Sequence, residues 1–187
     1  MAATFCVLST SGCLFDAREA DPPGSAGAPS VTLDAPQKVF VAMETSFEKD
    51  NDVDYERALS DGFLFSPLQD DSLDQTLIGT DVYVDWTKDV ELDVLRLLQS
   101  ESNLAVTFEV TALINENTFV RWKAFYVLSV ISSATPPDTT VYSGTSQIDV
   151  RNEGGNWRMT YWKDISAELG FRTWGYLRGI TRDRLSP

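Results

Sequence analysis

Apolar positions change period partway along this chain. From about residue 34 to residue 100 they recur at helical spacing, and from 103 onward the strand-like runs alternate apolar and polar side chains. Val39, Phe40, Met43 and Phe47 predict a first amphipathic helix over 34–49, with Asp34 as N-cap and Pro36 just inside the start. Lys49-Asp50-Asn51-Asp52 breaks it, and Asp52 or Asp54 can cap a short second helix running to Leu59. Phe63–Ser66 reads as a short strand stopped by Pro67. Residues 67–81 have no period and read as a loop; Asp81–Trp86 alternates, yet can equally start a helix. Val90, Val94, Leu95, Leu97 and Leu98 place a helix over Asp89–Ser100.

Four long strands follow: Asn103–Leu113, Thr118–Ile131, Thr139–Arg151 and Asn156–Ile165. Ile114–Asn117 turns the first pair and Asn152–Gly155 the last, the latter with the Gly-Gly signature of a tight hairpin. Gly144 within the third strand predicts a bulge or bend that curls the sheet. Helices first and a long curved antiparallel sheet afterwards make an α+β cone, with N-terminal helices packed on the sheet. The tail, 166–187, is expected to fold back on the domain.

Composition narrows the chemistry. The 187 residues suffice for one domain with a sizeable core plus a tail. The chain carries 28 acidic and 15 basic side chains, net −13, which argues against nucleic acid or an anionic membrane surface as the main partner. The charge is uneven: residues 34–101 hold 17 acidic and 5 basic side chains, residues 102–187 hold 8 and 9. An acidic, solvated helical layer over a neutral sheet accounts for this. Histidine is absent, which excludes serine–histidine, cysteine–histidine and histidine-ligated metal mechanisms. The only cysteines, Cys6 and Cys13, precede the domain, leaving it without a thiol nucleophile, a disulfide or a thiolate zinc site. The acidic run Gln69–Asp74 lacks the glycine and terminal glutamate of a calcium loop. Neither a metal nor a cofactor is expected.

Residues 1–13, apolar and ending in Ser11-Gly12-Cys13, resemble the end of a bacterial lipoprotein signal peptide. The resemblance implies cleavage before Cys13 and lipid on that cysteine. Thr10 departs from the usual aliphatic residue and no Lys or Arg precedes Cys13, so the natural start codon is expected upstream. The small, Pro/Gly-rich stretch 14–33 reads as a flexible tether. The organisation expected is a leader to Cys13, a tether over 14–33, a folded domain over 34–165 and a tail over 166–187, held at the cell envelope on its extracytoplasmic side.

The helix Gln37–Lys49, the step from Tyr55 to Phe63-Leu64-Phe65, the strand Phe119–Ile131, and Gly144 followed by Asn156-Trp157-Arg158-Met159 and Trp162-Lys163-Asp164 resemble the nuclear-transport-factor-2-like (NTF2-like) superfamily, in particular its SnoaL-like bacterial members. The resemblance covers about 34–165 and implies a cone whose interior holds a pocket. Enzymatic members work through acid/base side chains inside the cone, often aspartate with tyrosine or histidine with aspartate, and histidine is absent here. Fold does not carry function here.

Asp164 is therefore a candidate base at the cone rim, with Tyr161 or Tyr126 as its acid/base partner. Trp122, Tyr142, Trp157 and Trp162 are candidates to line an apolar ligand site, although core packing is the ordinary role of such residues. Glu109, Arg121, Lys123, Asp149, Arg158 and Lys163 alternate with apolar neighbours; cross-strand pairs on a wet face explain them. Arg121 and Lys123 share a face and can hold an anion there. The reading that results is a lipid-anchored envelope protein that binds a small apolar ligand or a protein partner in or around its cone. A membrane at lipidated Cys13 is one partner, and a homodimer through the sheet is a further use of that face. A low-turnover isomerase, cyclase or dehydratase is the alternative.

Overall fold

A computed structural model describes residues 29–73 and 82–185. The elements run α1 (Lys38–Glu48), α2 (Asp52–Ala58), β1 (Leu59–Ser66), α3 (Gln69–Ser72), α4 (Lys88–Glu101), β2 (Ser102–Glu116), β3 (Phe119–Ser132), β4 (Thr139–Glu153), β5 (Asn156–Ala167) and α5 (Trp174–Leu185). The strands form one sheet in the order β1-β5-β4-β3-β2. The four long strands pair antiparallel, as their alternation predicts. β1 instead joins the β5 edge in parallel, Phe65 beside Trp162 and Ser66 beside Lys163. β1 starts at Leu59, four residues earlier than the apolar run alone indicates.

Alternation decides the two faces of the sheet. Val120, Trp122, Ala124, Tyr126 and Leu128 on β3, with Ile148 and Val150 on β4 and Met159, Trp162 and Asp164 on β5, are buried on the concave face. Arg121, Lys123, Gln147, Tyr161 and Lys163 occupy the outer face by the period of two and the pairing register. Register shifts between Thr145 and Ser146 and between Asp149 and Val150 bend the sheet where β4 meets β5. Gly144 stands beside the first of these. A Cβ there would lie 2.5 Å from the Ser166 carbonyl and 2.9 Å from the Tyr126 hydroxyl, so only glycine permits this curl. The β4–β5 hairpin turns through Gly154 and Gly155, both at positive φ, as expected of the Gly-Gly pair.

Val39, Phe40, Met43 and Phe47 press α1 on the concave face, and Leu92, Val94, Leu95 and Leu98 do the same for α4. Several boundaries differ from the sequence expectation for local reasons. α1 begins at Lys38 with Gln37 at its N-cap, so Asp34 does not cap it. The cap of α2 is Asn51, whose side chain accepts from the Val53 N–H at 3.0 Å. Asp52 pairs with Arg96. Asp54 is buried and accepts from the Ser30 N–H, the Ser30 hydroxyl and the Val31 N–H. That carboxylate, with Leu33 buried and its carbonyl accepting from the Trp157 N–H at 2.7 Å, docks residues 30–33, which the sequence assigned to the tether. Gln69–Ser72, expected as loop, forms the single turn α3. Val82–Asp85 is a turn, not a strand, and it delivers Trp86 to the core. The leader with Cys6 and Cys13, Asp74 and Asp81 lie outside the described residues.

Candidate functional site

The concave face of a curled sheet is where such a cone has room for a ligand. Here the tail enters it. α5 runs from Trp174 to Leu185 and buries Trp174, Leu177 and Arg178. Trp174 meets Trp162 edge-on at 4.9 Å between ring centroids and also packs against Tyr126, Phe47 and Phe108. Arg178, four residues on and on the same helix face, is 0 % exposed. Its guanidinium carbon lies 4.3 Å from the Trp162 ring centroid and 4.5 Å from those of Phe65 and Trp174.

Glu91 of α4 neutralises this charge. Arg178 donates to it through Nε at 3.0 Å and Nη2 at 2.6 Å. The same carboxylate accepts from the Tyr55 hydroxyl at 2.5 Å and from Trp86 Nε1 at 2.8 Å. Four donor groups, two from α5 and one each from α2 and the segment after the 82–85 turn, thus fix one buried carboxylate. Burial alone would lower the Arg178 pKa, but the adjoining Glu91 charge outweighs it and the guanidinium is held above its usual range. Burial, and then the same carboxylate, push the Tyr55 hydroxyl well above the ordinary tyrosine value. Arg178 Nη1 has no hydrogen-bond acceptor.

Asp164 and Tyr126 act on the same helix. The first N–H groups of a helix have no partner within it. In α5 the Trp174 N–H donates to the Tyr126 hydroxyl at 2.9 Å, and the Gly175 N–H donates to Asp164 Oδ2 at 2.9 Å. The Tyr176 N–H donates to Thr173 Oγ1 at 3.0 Å, the usual N-cap bond. Asp164 Oδ1 accepts from Ser146 Oγ at 2.7 Å and from Trp162 Nε1 at 2.8 Å. Asp164 is therefore buried on the concave floor, not at the rim, with both oxygens engaged and its charge facing the positive end of α5. A Cβ on Gly175 would collide with Asp164 Oδ2 and with Phe65, so the residue at this position must be glycine for the carboxylate to reach the helix. Burial, then the Asp164 charge, drive the Tyr126 pKa far above its normal value.

Thr173 donates its own proton to Asp71 of α3. Burial raises the Asp71 pKa; the Thr173 bond opposes this and the nearby Asp164 charge adds to it. A carboxyl whose folded pKa exceeds its unfolded value favours folding most when both are protonated. That contribution is lost as pH rises from the ordinary value of 3.8 through the folded pKa. Asp71→Asn keeps an acceptor for Thr173 and removes the ionisation. The melting temperature of wild type relative to Asp71→Asn is thus expected to fall as pH rises from acid to neutral. A difference that stays flat, or rises, would refute the assignment.

The other sequence candidates divide between the two faces. Tyr161 pairs with Asp149 and Leu64 on the outer face, across the sheet from Asp164, so those two cannot act on one bound molecule. Trp162 is part of the Arg178 cage. Trp122 is buried edge-on against Phe40, with its Nε1 unpaired. Trp157 is buried near the docked segment 30–33, and Tyr142 is buried beside the strand-like contact with Arg172. Arg121 is closed off by a two-pronged pair with Asp149, both bonds 2.7 Å. Among the described residues no cluster of acidic or sulfur ligands is arranged to hold a metal.

Sequence reasoning missed Glu91 and Arg178. Glu91 stands at the spacing of Leu95 and Leu98 on the buried stripe of α4, and a charge in that stripe was the available signal. An open cleft of about 630 Å³ lies outside the filled interior, where α3 leaves the end of β1. Ser66, Gln69, Gln147, Lys163, Asp164 and Ile165 are among its walls.

Neither protein-family models nor curated protein sequences yield a match to this chain. Solved structures do. A conserved protein of Planctomyces limnophilus superposes with a TM-score of 0.56 at 9 % identity, over 69 % of this chain and 94 % of its own. A candidate scytalone dehydratase of Novosphingobium aromaticivorans gives 0.55 at 6 % identity, over 71 % and 83 %. A type 2 hexachlorocyclohexane dehydrochlorinase (LinA) gives 0.51 at 8 %, over 73 % and 88 %. At such identities the likeness speaks to architecture alone. Helices on a five-stranded curled sheet, together with these neighbours, establish that the chain has the α+β cone of the NTF2-like fold.

Proposed function

We propose that this chain is a non-catalytic binding module, held at the bacterial cell envelope by lipid on Cys13, that takes its ligand or partner around the cone and not inside it. One observation carries the reading: α5 occupies the concave face, and Asp164 and Tyr126, the groups suited to acid/base work there, cap its first turn. The alternative, an isomerase, cyclase or dehydratase built on a carboxylate and a tyrosine, needs α5 to leave first. Leaving exposes Trp174 and separates Arg178 from Glu91.

Hydrogen exchange separates the two. The amides of Trp174–Leu177 are expected to exchange only with global unfolding. Exchange through a low-energy opening confined to α5 would favour a cone that opens to substrate. The anchor has its own test. The chain made in a bacterium from the expected upstream start, so that its leader is whole, is expected to carry diacylglycerol mass on Cys13, absent from Cys13→Ser; an unmodified wild-type chain from that start refutes the envelope address.

A further inference from the structure

The cleft beside the filled cone has a chemical character of its own. Across the outer face, Ser66 of β1, Lys163 of β5, Gln147 of β4 and Lys123 of β3 stand side by side in register. With strands about 4.8 Å apart, the roots of the two lysines are about 10 Å apart with an amide between them. In the adjoining row Arg121 is neutralised by Asp149. Lys88 is likewise paired, with Asp61 at 3.1 Å. Lys163 and Lys123 have no ion pair among the described residues, in a chain with 28 acidic side chains against 15 basic ones. The acidic groups around the cleft do not supply one. Asp164 is itself part of the cleft wall, but both its oxygens are engaged, by Ser146, Trp162 and the Gly175 N–H; Asp71 is bound to Thr173, and Asp70 on α3 is exposed to solvent.

Among the described residues the cleft of about 630 Å³ therefore has one cation without an ion pair, Lys163, with polar groups from Ser66, Gln69, Ser72 and Gln147, of which Ser72 donates to the Gln69 carbonyl and the Gln147 amide to Asp149 at 3.4 Å. Pro67, Leu68 and Ile165 form its apolar wall, and Ile165 is 47 % exposed. The volume suits a small ligand. A single ammonium with neutral donors around it matches one negative charge, whereas a phosphate group favours several cations or a guanidinium fork.

We propose that this cleft is a binding site for a small amphiphilic carboxylate, its head on Lys163 and its chain along Pro67, Leu68 and Ile165. The proposal rests on the reading that binding takes place around the cone, and it names the ligand class.

The test uses the full chain carrying Cys13→Ser, so that no lipid is added, and follows NMR shifts on titration with octanoate, octyltrimethylammonium and octyl glucoside. Octanoate is expected to shift the amides of Ser66–Ser72, Gln147 and Lys163–Ile165. Lys163→Gln should weaken it about tenfold, the worth of one charge-assisted bond. Lys88→Gln should leave it unchanged. Equal affinity in Lys163→Gln overturns the proposal, as does an absence of octanoate binding. Octyl glucoside or octyltrimethylammonium bound at the cleft as well as octanoate, or in its place, removes the anion class while leaving binding around the cone intact. Octanoate that shifts the indoles of Trp162 and Trp174 instead places the ligand inside the cone, and the reading under Proposed function falls with the proposal.

Discussion

Glu91→Gln is expected to destabilise the domain by about 3–5 kcal/mol, because it leaves the Arg178 guanidinium buried with no counter-charge. For a domain of this size that corresponds to a fall in melting temperature of about 10–15 °C. Arg178→Met should cost a similar amount for the converse reason, a buried Glu91 carboxylate whose charge nothing neutralises. The double variant separates an ion-pair lock from simple packing. Met fills most of the guanidinium slot between Phe65, Trp162 and Trp174, while Gln still offers an oxygen to Trp86 Nε1 and Tyr55. Glu91→Gln with Arg178→Met should therefore be more stable than the sum of the single losses predicts, by at least about 1–2 kcal/mol. Thermal and urea denaturation of the four proteins measure this. Additive losses, or single losses under about 1 kcal/mol, would show that Arg178 is a packed cation whose partner does not matter.

The features read from sequence are those whose signal is local. The four long strands, the α1 and α4 stripes and the Gly154-Gly155 turn each announce themselves within a dozen residues, and the structure has all of them. What the sequence concealed depends on distant groups meeting. Glu91 and Arg178 are 87 positions apart, and Asp71 and Thr173 are 102 apart. Nothing in either neighbourhood names its partner. α5 was hidden for a further reason. Trp174-Gly175-Tyr176-Leu177-Arg178-Gly179 contains two glycines and few strong helix formers, so propensity argues against a helix there. Those glycines are imposed by tertiary contact: a Cβ at Gly179 would strike the Tyr83 ring, whose hydroxyl donates to the Gly175 carbonyl at 2.9 Å. The helix exists because the cone holds it. The candidate residues were legible as types and misleading as roles. Asp164 and Tyr126 do converge on the concave face, but what they meet there is the backbone of α5.

Asp164→Ala turns that difference in role into a measurement. Removing the carboxylate leaves three buried donors without an acceptor, Ser146 Oγ, Trp162 Nε1 and the Gly175 N–H. Each is worth about 1–3 kcal/mol when buried and unsatisfied, although Ser146 can turn its hydroxyl elsewhere. It also removes a negative charge from the start of α5. A loss of about 3–5 kcal/mol is expected, concentrated in α5. Amide exchange at Trp174–Leu177 should accelerate before the β3 and β4 amides are affected, and tryptophan emission should shift to the red as Trp174 and Trp162 meet water. Asp164→Asn keeps an oxygen for one side of the network and should lose less. A carboxylate held for catalysis behaves in the opposite way, since active-site groups are commonly kept at a cost to stability and their removal leaves the fold as stable or more so. If Asp164→Ala melts at or above the wild-type temperature with α5 still protected, Asp164 is not the cap that holds the helix in the cone. The plugged-cone reading would then lose its central support.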